Sequence, residues 1–308
     1  MNEQQIETGI ANLAQVRLDR RRFFRQAGLL GLGTAAAGLT LNTARAESKA
    51  ESTQEMEQAK DTVKQIFTAA LIAEDLATTF YYNALIGNVI QDPNLAGPGG
   101  SATNVTSAGN FGNVAYVRAA LTEEIAHANL FRSLLGISDS AQDPVQTFYF
   151  PAGSFDTLAA FTGLLDALEN AFIGAYLNAI QELAHMAAYL GNSKEDRDRS
   201  HRRDGEDDGD SKYTAEQLEY FAKVAASIMG IECEHRVLGR VISNTNPANN
   251  LNYEQTDGLN AVYNGPNSAV AALTPFLTST TGPAYSFSVA LANQGTVSEP
   301  VQGGPPAF

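Results

Sequence analysis

Tryptophan is absent from this 308-residue chain, and cysteine occurs once. A single thiol cannot close an intrachain disulfide, so the chain is not a disulfide scaffold, and Cys233 points to no particular redox compartment. Positive charge is scarce: 20 lysines and arginines stand against 34 aspartates and glutamates, a formal charge of −14. That balance argues against a nucleic-acid binder, which needs a basic surface to neutralise phosphates. No charge-free run reaches the ~20 apolar residues that a membrane helix requires, so no stable membrane anchor is expected. What remains is a chain that is 44% hydrophobic. It can bury a sizeable core and suits one large domain or two small ones.

The N-terminus is set aside before the fold is considered. Residues 19–25 read Asp-Arg-Arg-Arg-Phe-Phe-Arg, and residues 26–40 are weakly apolar and rich in Gly, Ala and Leu. The stretch ends at Ala44-Arg45-Ala46, a small-x-small cleavage pattern. Residues 1–46 resemble a twin-arginine signal peptide with Arg20 and Arg21 as its pair; a basic amphipathic helix is the alternative. The resemblance implies passage through the twin-arginine export machinery to the periplasm or the exterior. That route carries folded proteins, and so implies a metal or cofactor inserted beforehand or a partner carried along. Cleavage would remove six arginines and only three acidic residues, leaving the mature chain still more acidic.

The mature chain opens on a polar lead-in, residues 47–60. Apolar residues then recur at three- and four-residue spacings in four runs, about 61–90, 114–136, 155–190 and 213–243, each predicting a long helix. The connections 91–113 and 137–154 are rich in Gly, Pro, Asn, Ser and Thr. Residues 192–212 form a charge block without an apolar side chain, expected to be solvated. After residue 244 the composition turns irregular, with a short amphipathic piece near 266–278 and a strand or helix at 284–293. Four long amphipathic helices with real loops between them predict an all-α four-helix bundle over residues 58–243, followed by an irregular extension, 244–308.

Acidic residues on the core-facing stripes carry the chemistry, because a buried carboxylate without a partner is costly. Glu74 lies among Phe67, Ala70, Leu71, Ala77 and Tyr81 on the first helix. Glu124 and His127 share one face of the second. Glu169 sits among Leu165, Phe172, Ile173 and Tyr176 on the third. Glu232 and His235 repeat the same spacing on the fourth, beside Ala225, Ile228 and Met229. A spacing of three places two side chains about a turn apart on one face, where both reach one ion. Four carboxylates and two imidazoles neutralise two divalent cations and bind each through nitrogen and oxygen. One Glu-x-x-His is common by chance; two, each preceded by a lone core-facing Glu one helix earlier, form a pattern.

Glu182 and His185 also form a Glu-x-x-His on the third helix. Helical rise puts Glu182 roughly 14 Å out of level with Glu232, whereas Glu169 lies at a similar height. Glu182 and His185 therefore read as a surface or satisfied polar pair. Glu123 and Glu234 flank the motifs and read as solvated or supporting carboxylates. Asp75 and Asp166 are expected to be exposed, with orientation of the histidines as the alternative. Tyr81, Tyr82 and Tyr176 read as core residues with hydrogen-bonded hydroxyls rather than electron relays. Cys233 reads as a small buried hydrophobe.

These motifs resemble the ferritin-like superfamily. With the twin-arginine leader and the long C-terminus, the chain is similar to the exported ferritin-like-domain proteins that include the plant desiccation-related proteins. The resemblance implies metal ligation by Glu74, Glu124, His127, Glu169, Glu232 and His235, two bridged iron or manganese ions, and redox chemistry with dioxygen or peroxide. It also implies that the 18 residues 137–154 form the fold's long crossover, since extended chain at ~3.3 Å per residue spans ~59 Å. Manganese-catalase-like peroxide disproportionation, a non-catalytic stress-protective role and iron storage are the alternatives. Storage ferritins are shorter and end in a small fifth helix, so a hollow iron-storing shell is not expected, although a smaller oligomer is compatible with the reading.

Overall fold

The computed structural model describes residues 61–196, 213–244 and 269–298. Residues 1–60, which include the expected signal pair Arg20 and Arg21, and most of the charge block lie outside the described residues. Within them the fold is mostly helical: four long helices, two short ones and one two-stranded antiparallel ribbon.

Local sequence sets the helix ends. Helix α1, Val63–Ile86, starts from Thr62 in a reciprocal capping box with Gln65 and stops at Gly87. A 3₁₀ turn, Asn88–Gln91, follows, so the helix ends sooner than the apolar pattern implied. Helix α2, Phe111–Leu135, begins three residues earlier than expected because the Asn110 side chain accepts from the Asn113 N–H. It stops at Gly136, whose φ of 71° is the left-handed conformation of a helix stop.

Helix α3 spans Leu158–Asp196, five residues past the expected stop at Gly191. A glycine inside a helix costs only about 1 kcal/mol, and the straight-chain residues Lys194 and Glu195 favour continuation. The charge block therefore opens as helix. The stretch Leu158–Ala188 is long and apolar enough to cross a membrane, yet more than half of its apolar window is buried inside the protein. Helix α4, Ala215–Ile242, repeats the capping box with Thr214 and Gln217.

Helix α1 packs most extensively on α2, and α3 on α4, with α1–α3 and α2–α4 contacts joining the pairs. A Cβ at Gly239 would stand 2.9 Å from Leu165 Cδ2, so glycine there lets α4 approach α3 closely.

The apolar core forms two clusters. One gathers Phe80, Leu121, Phe161, Leu165 and Leu238; the other gathers Phe67, Leu71, Phe131, Leu183 and Leu218. Along each long helix, the four core-facing glutamates fall where one cluster gives way to the other.

The region after residue 244 is more structured than its composition suggested. Residues 269–298 hold α5 (Ala269–Leu273), a 3₁₀ turn, strand β2 (Ala284–Ser286) and α6 (Phe287–Asn293). Both alternatives offered for 284–293 are present in succession. The α2–α3 connection contributes strand β1, Thr147–Tyr149, which pairs antiparallel with β2 in the register Phe148 to Tyr285. Phe148, Phe150 and Phe287 are fully buried in the first cluster. Arg118 donates to the backbone carbonyls of Val297 and Ser298, each at 2.8 Å, tying the far end of this segment to α2.

Candidate metal centre

The structure brings all six sequence-selected residues into one buried cluster. Glu74, Glu124, Glu169, Glu232 and His235 are at most 2% exposed. The donor atoms form two groups, Glu74, Glu124, His127 and Glu232 on one side and Glu124, Glu169, Glu232 and His235 on the other. Within each group they lie within 4.8 Å of one another, and Glu124 and Glu232 belong to both.

The two shared carboxylates straddle the cluster. Glu124 presents Oε2 at 3.7 Å to His127 Nδ1 and Oε1 at 3.0 Å to His235 Nδ1. Glu232 presents Oε1 at 3.6 Å to His127 and Oε2 at 3.4 Å to His235. Glu74 Oε2 lies 3.3 Å from His127 Nδ1, and Glu169 Oε1 lies 3.9 Å from His235 Nδ1.

Two tyrosines complete the frame. The Tyr81 hydroxyl donates to Glu169 Oε1 at 2.7 Å, and the Tyr176 hydroxyl donates to Glu74 Oε1. Each tyrosine lies seven residues after a cluster glutamate, Glu74 or Glu169, and bonds the glutamate of the other half. Both hydroxyls are bonded, as expected, but their partners are cluster carboxylates. Tyr82 is buried in the apolar core.

Burial pushes the Glu124, Glu169 and Glu232 carboxyls above the usual carboxylate range, and neighbouring glutamates push them further. Burial alone would lower the histidines, but the surrounding carboxylates outweigh it and raise both His127 and His235. Burial, then the adjoining carboxylates, raises the Tyr81 and Tyr176 hydroxyls, so both keep their protons at neutral pH.

Hydrogen bonding does not satisfy this cluster. Both oxygens of Glu124, both of Glu232, Glu169 Oε2 and His235 Nδ1 are buried without a hydrogen-bond partner. His235 Nδ1 and Glu124 Oε1 are 3.0 Å apart yet misaligned for a hydrogen bond. Orphaned buried polar atoms in a native protein call for an explanation. Atoms that converge on a common point without bonding each other fit a cation held between them. A metal ion held by these carboxylates and imidazoles would offset the cost of burying their charge.

The residues read as bystanders sort themselves clearly. Glu182 accepts from the Asp61 N–H at 3.2 Å, outside the cluster. Its carboxyl is pushed up to about 7, by burial and by Asp61. His185 and Glu234 are exposed. Glu123 meets His235 Nε2 at 2.9 Å, the supporting role that its position allowed. Asp166 is part-buried, 3.3 Å from Arg240 Nε.

Asp75 corrects the expectation: it is fully buried, not exposed. Arg132 NH2 donates to its Oδ1 at 2.6 Å, while Arg132 Nε donates to Asp143 at 2.7 Å and NH1 donates to Asn129 at 2.9 Å. The same guanidinium lies 5.3 Å from the Phe287 ring centre. This clamp joins α1, α2, the α2–α3 connection and α6. Burial pushes Asp75 up to about 9 even against the pull of Arg132. Arg132 was absent from the sequence reading. The available signal was its place five residues after His127, matched by Arg240 five residues after His235.

Comparison with protein-family models, with curated proteins and with solved structures finds no match for this chain.

Proposed function

We propose that this chain is a ferritin-like four-helix bundle whose buried Glu/His cluster holds two iron or manganese ions for redox chemistry with dioxygen or peroxide. The orphaned oxygens of Glu124 and Glu232, each carboxylate facing both histidines, are the observation that carries the reading. The arrangement of the apolar clusters supports the bundle topology. The first half of α3 shares a cluster with the first half of α2 and the second halves of α1 and α4. That distribution supports parallel α2 and α3, with their connection as a long crossover along the bundle.

On this reading Glu74 and His127 would hold one ion, Glu169 and His235 the other, and Glu124 and Glu232 both. When bound, the ions would supply electrons to dioxygen, or would exchange electrons with peroxide, which can both accept and donate them. The chain's own residues do the rest. Tyr81 and Tyr176 fix the Glu169 and Glu74 carboxylates by hydroxyl donation. Glu123 orients the His235 ring. The apolar clusters on either side keep water out, and His127, whose side chain is 13% exposed, marks the more accessible side.

The test is reconstitution of the metal-free chain with Fe(II) or Mn(II), followed by dioxygen consumption and peroxide disproportionation. We expect turnover in at least one assay and its loss in Glu124→Gln/Glu232→Gln. Oxygen release from peroxide by the manganese form alone would select the catalase-like alternative. No turnover with either metal would overturn the redox reading.

A further inference from the structure

The two halves of the cluster repeat each other in their core residues but differ in what faces each histidine's Nε2. Glu74, Glu124, His127 and Tyr81 in the first half correspond to Glu169, Glu232, His235 and Tyr176 in the second. The residue before Glu124 is Glu123, whereas the residue before Glu232 is Ile231. Glu123 reaches across to His235, with its Oε2 at 2.9 Å from Nε2. Among the described residues no carboxylate meets Nε2 of His127. His235 is 2% exposed, and all four residues on its side are buried. The His127 side chain is 13% exposed.

On the reading that the cluster holds two ions, we propose that its two positions are unequal and fill in order. The His235 position fills first and holds its ion tightly; the His127 position fills second and exchanges.

A carboxylate facing Nε2 fixes the proton on that nitrogen and leaves the Nδ1 lone pair for an ion. Nδ1 of His235 already points at Glu124, Glu169 and Glu232 without hydrogen-bonding any of them. The Tyr81 ring stands edge-on to His235 with centroids 5.5 Å apart, which further limits rotation of the imidazole. A preoriented, more basic imidazole in a dry setting binds an ion with less reorganisation. Removing such a supporting partner typically costs 10–100-fold in metal affinity. His127 has no such support and has more contact with solvent. The tyrosines do not create the difference, because each half receives one hydroxyl donor.

The test is titration of the metal-free full chain with Mn(II) alone, following unbound Mn(II) by electron paramagnetic resonance. Two steps are expected, separated by about 10–100-fold. In Glu123→Gln the first step should weaken by about that factor while the second is unchanged, so the steps merge. Two ions bound with equal affinity in the wild type would overturn the inference and leave the two-ion reading standing. Equal weakening of both steps in the variant would do the same. No Mn(II) uptake would overturn both.

A second measurement needs no variant. With one equivalent of Co(II), nuclear magnetic resonance should show the large shifts of a directly bound imidazole for the ring protons of His235 and only smaller through-space shifts for those of His127, with exposed His185 as the control. Large shifts at His127 first, or at both histidines together, would overturn the order.

Discussion

Loading the metal-free protein with Mn(II) is expected to raise its melting temperature by about 10–20 °C at pH 8 and far less at pH 5. Each site filled at 100 times its dissociation constant stabilises by about 2.7 kcal/mol. Two sites give roughly 5 kcal/mol, and a domain of this size gains about 2–4 °C per kcal/mol.

The pH dependence follows from proton counts. Glu124, Glu169 and Glu232 titrate above the usual carboxylate value of 4.5 in the folded chain, so the folded state binds more protons than the unfolded one. Stability of the metal-free protein therefore falls as pH rises above about 4.5. His127 and His235 are raised as well. Their contribution is complete below the ordinary histidine value of 6.5 and is lost as pH rises through their folded values. Metal binding requires the same groups deprotonated and strengthens with pH. The stripped and loaded proteins should diverge from pH 5 to pH 8 in thermal melts. Parallel curves would contradict the account.

Arg132→Ala is expected to destabilise the protein by about 3–5 kcal/mol, because three acceptors, on Asp75, Asp143 and Asn129, lose their donor at about 1–3 kcal/mol each where buried. Arg132 holds two buried aspartates at 2.6 and 2.7 Å, so no single water can take its place. Arg132→Lys should recover only part of the loss, because an ammonium cannot reproduce the forked contacts to Asp75, Asp143 and Asn129. Asp75, pushed up to about 9, is largely protonated at both pH 5 and pH 8, so most of the loss should persist at both. Urea melts of the three proteins at pH 5 and pH 8 test this. A loss under 1 kcal/mol at pH 8 would show that the clamp is not a stabilising element.

The cluster was legible in the sequence because acidic side chains at core periodicity are expensive and the i, i+3 pairing has one helical meaning. Glu74 and Glu169, alone on their helices, were found by their apolar neighbours. The tyrosines were visible at the right spacing, but their partners depend on which helices face each other across the core. Asp75 was misread for a tertiary reason. It lies one residue from Glu74, about 100° around the helix, on a side expected to face solvent. The C-terminal helix α6 packs on α1, and Arg132 and Phe287 close over that region. Likewise β1 and β2 pair across more than 130 residues, and neither strand of three residues announces its partner. The helix ends were readable where a cap fixed them, at Gly136 and Thr214, and missed at Gly191, where the small cost of one glycine did not end the helix.

Glu124 and Glu232 are proposed to be shared between two ions. Elemental analysis of iron and manganese per chain, on reconstituted protein from residue 47 onward, tests it most directly. The account predicts about two ions per wild-type chain, as a four-carboxylate, two-histidine set holds, and none retained in Glu124→Ala/Glu232→Ala. A wild-type chain that retains no metal, or a double variant that still holds two ions, would contradict it.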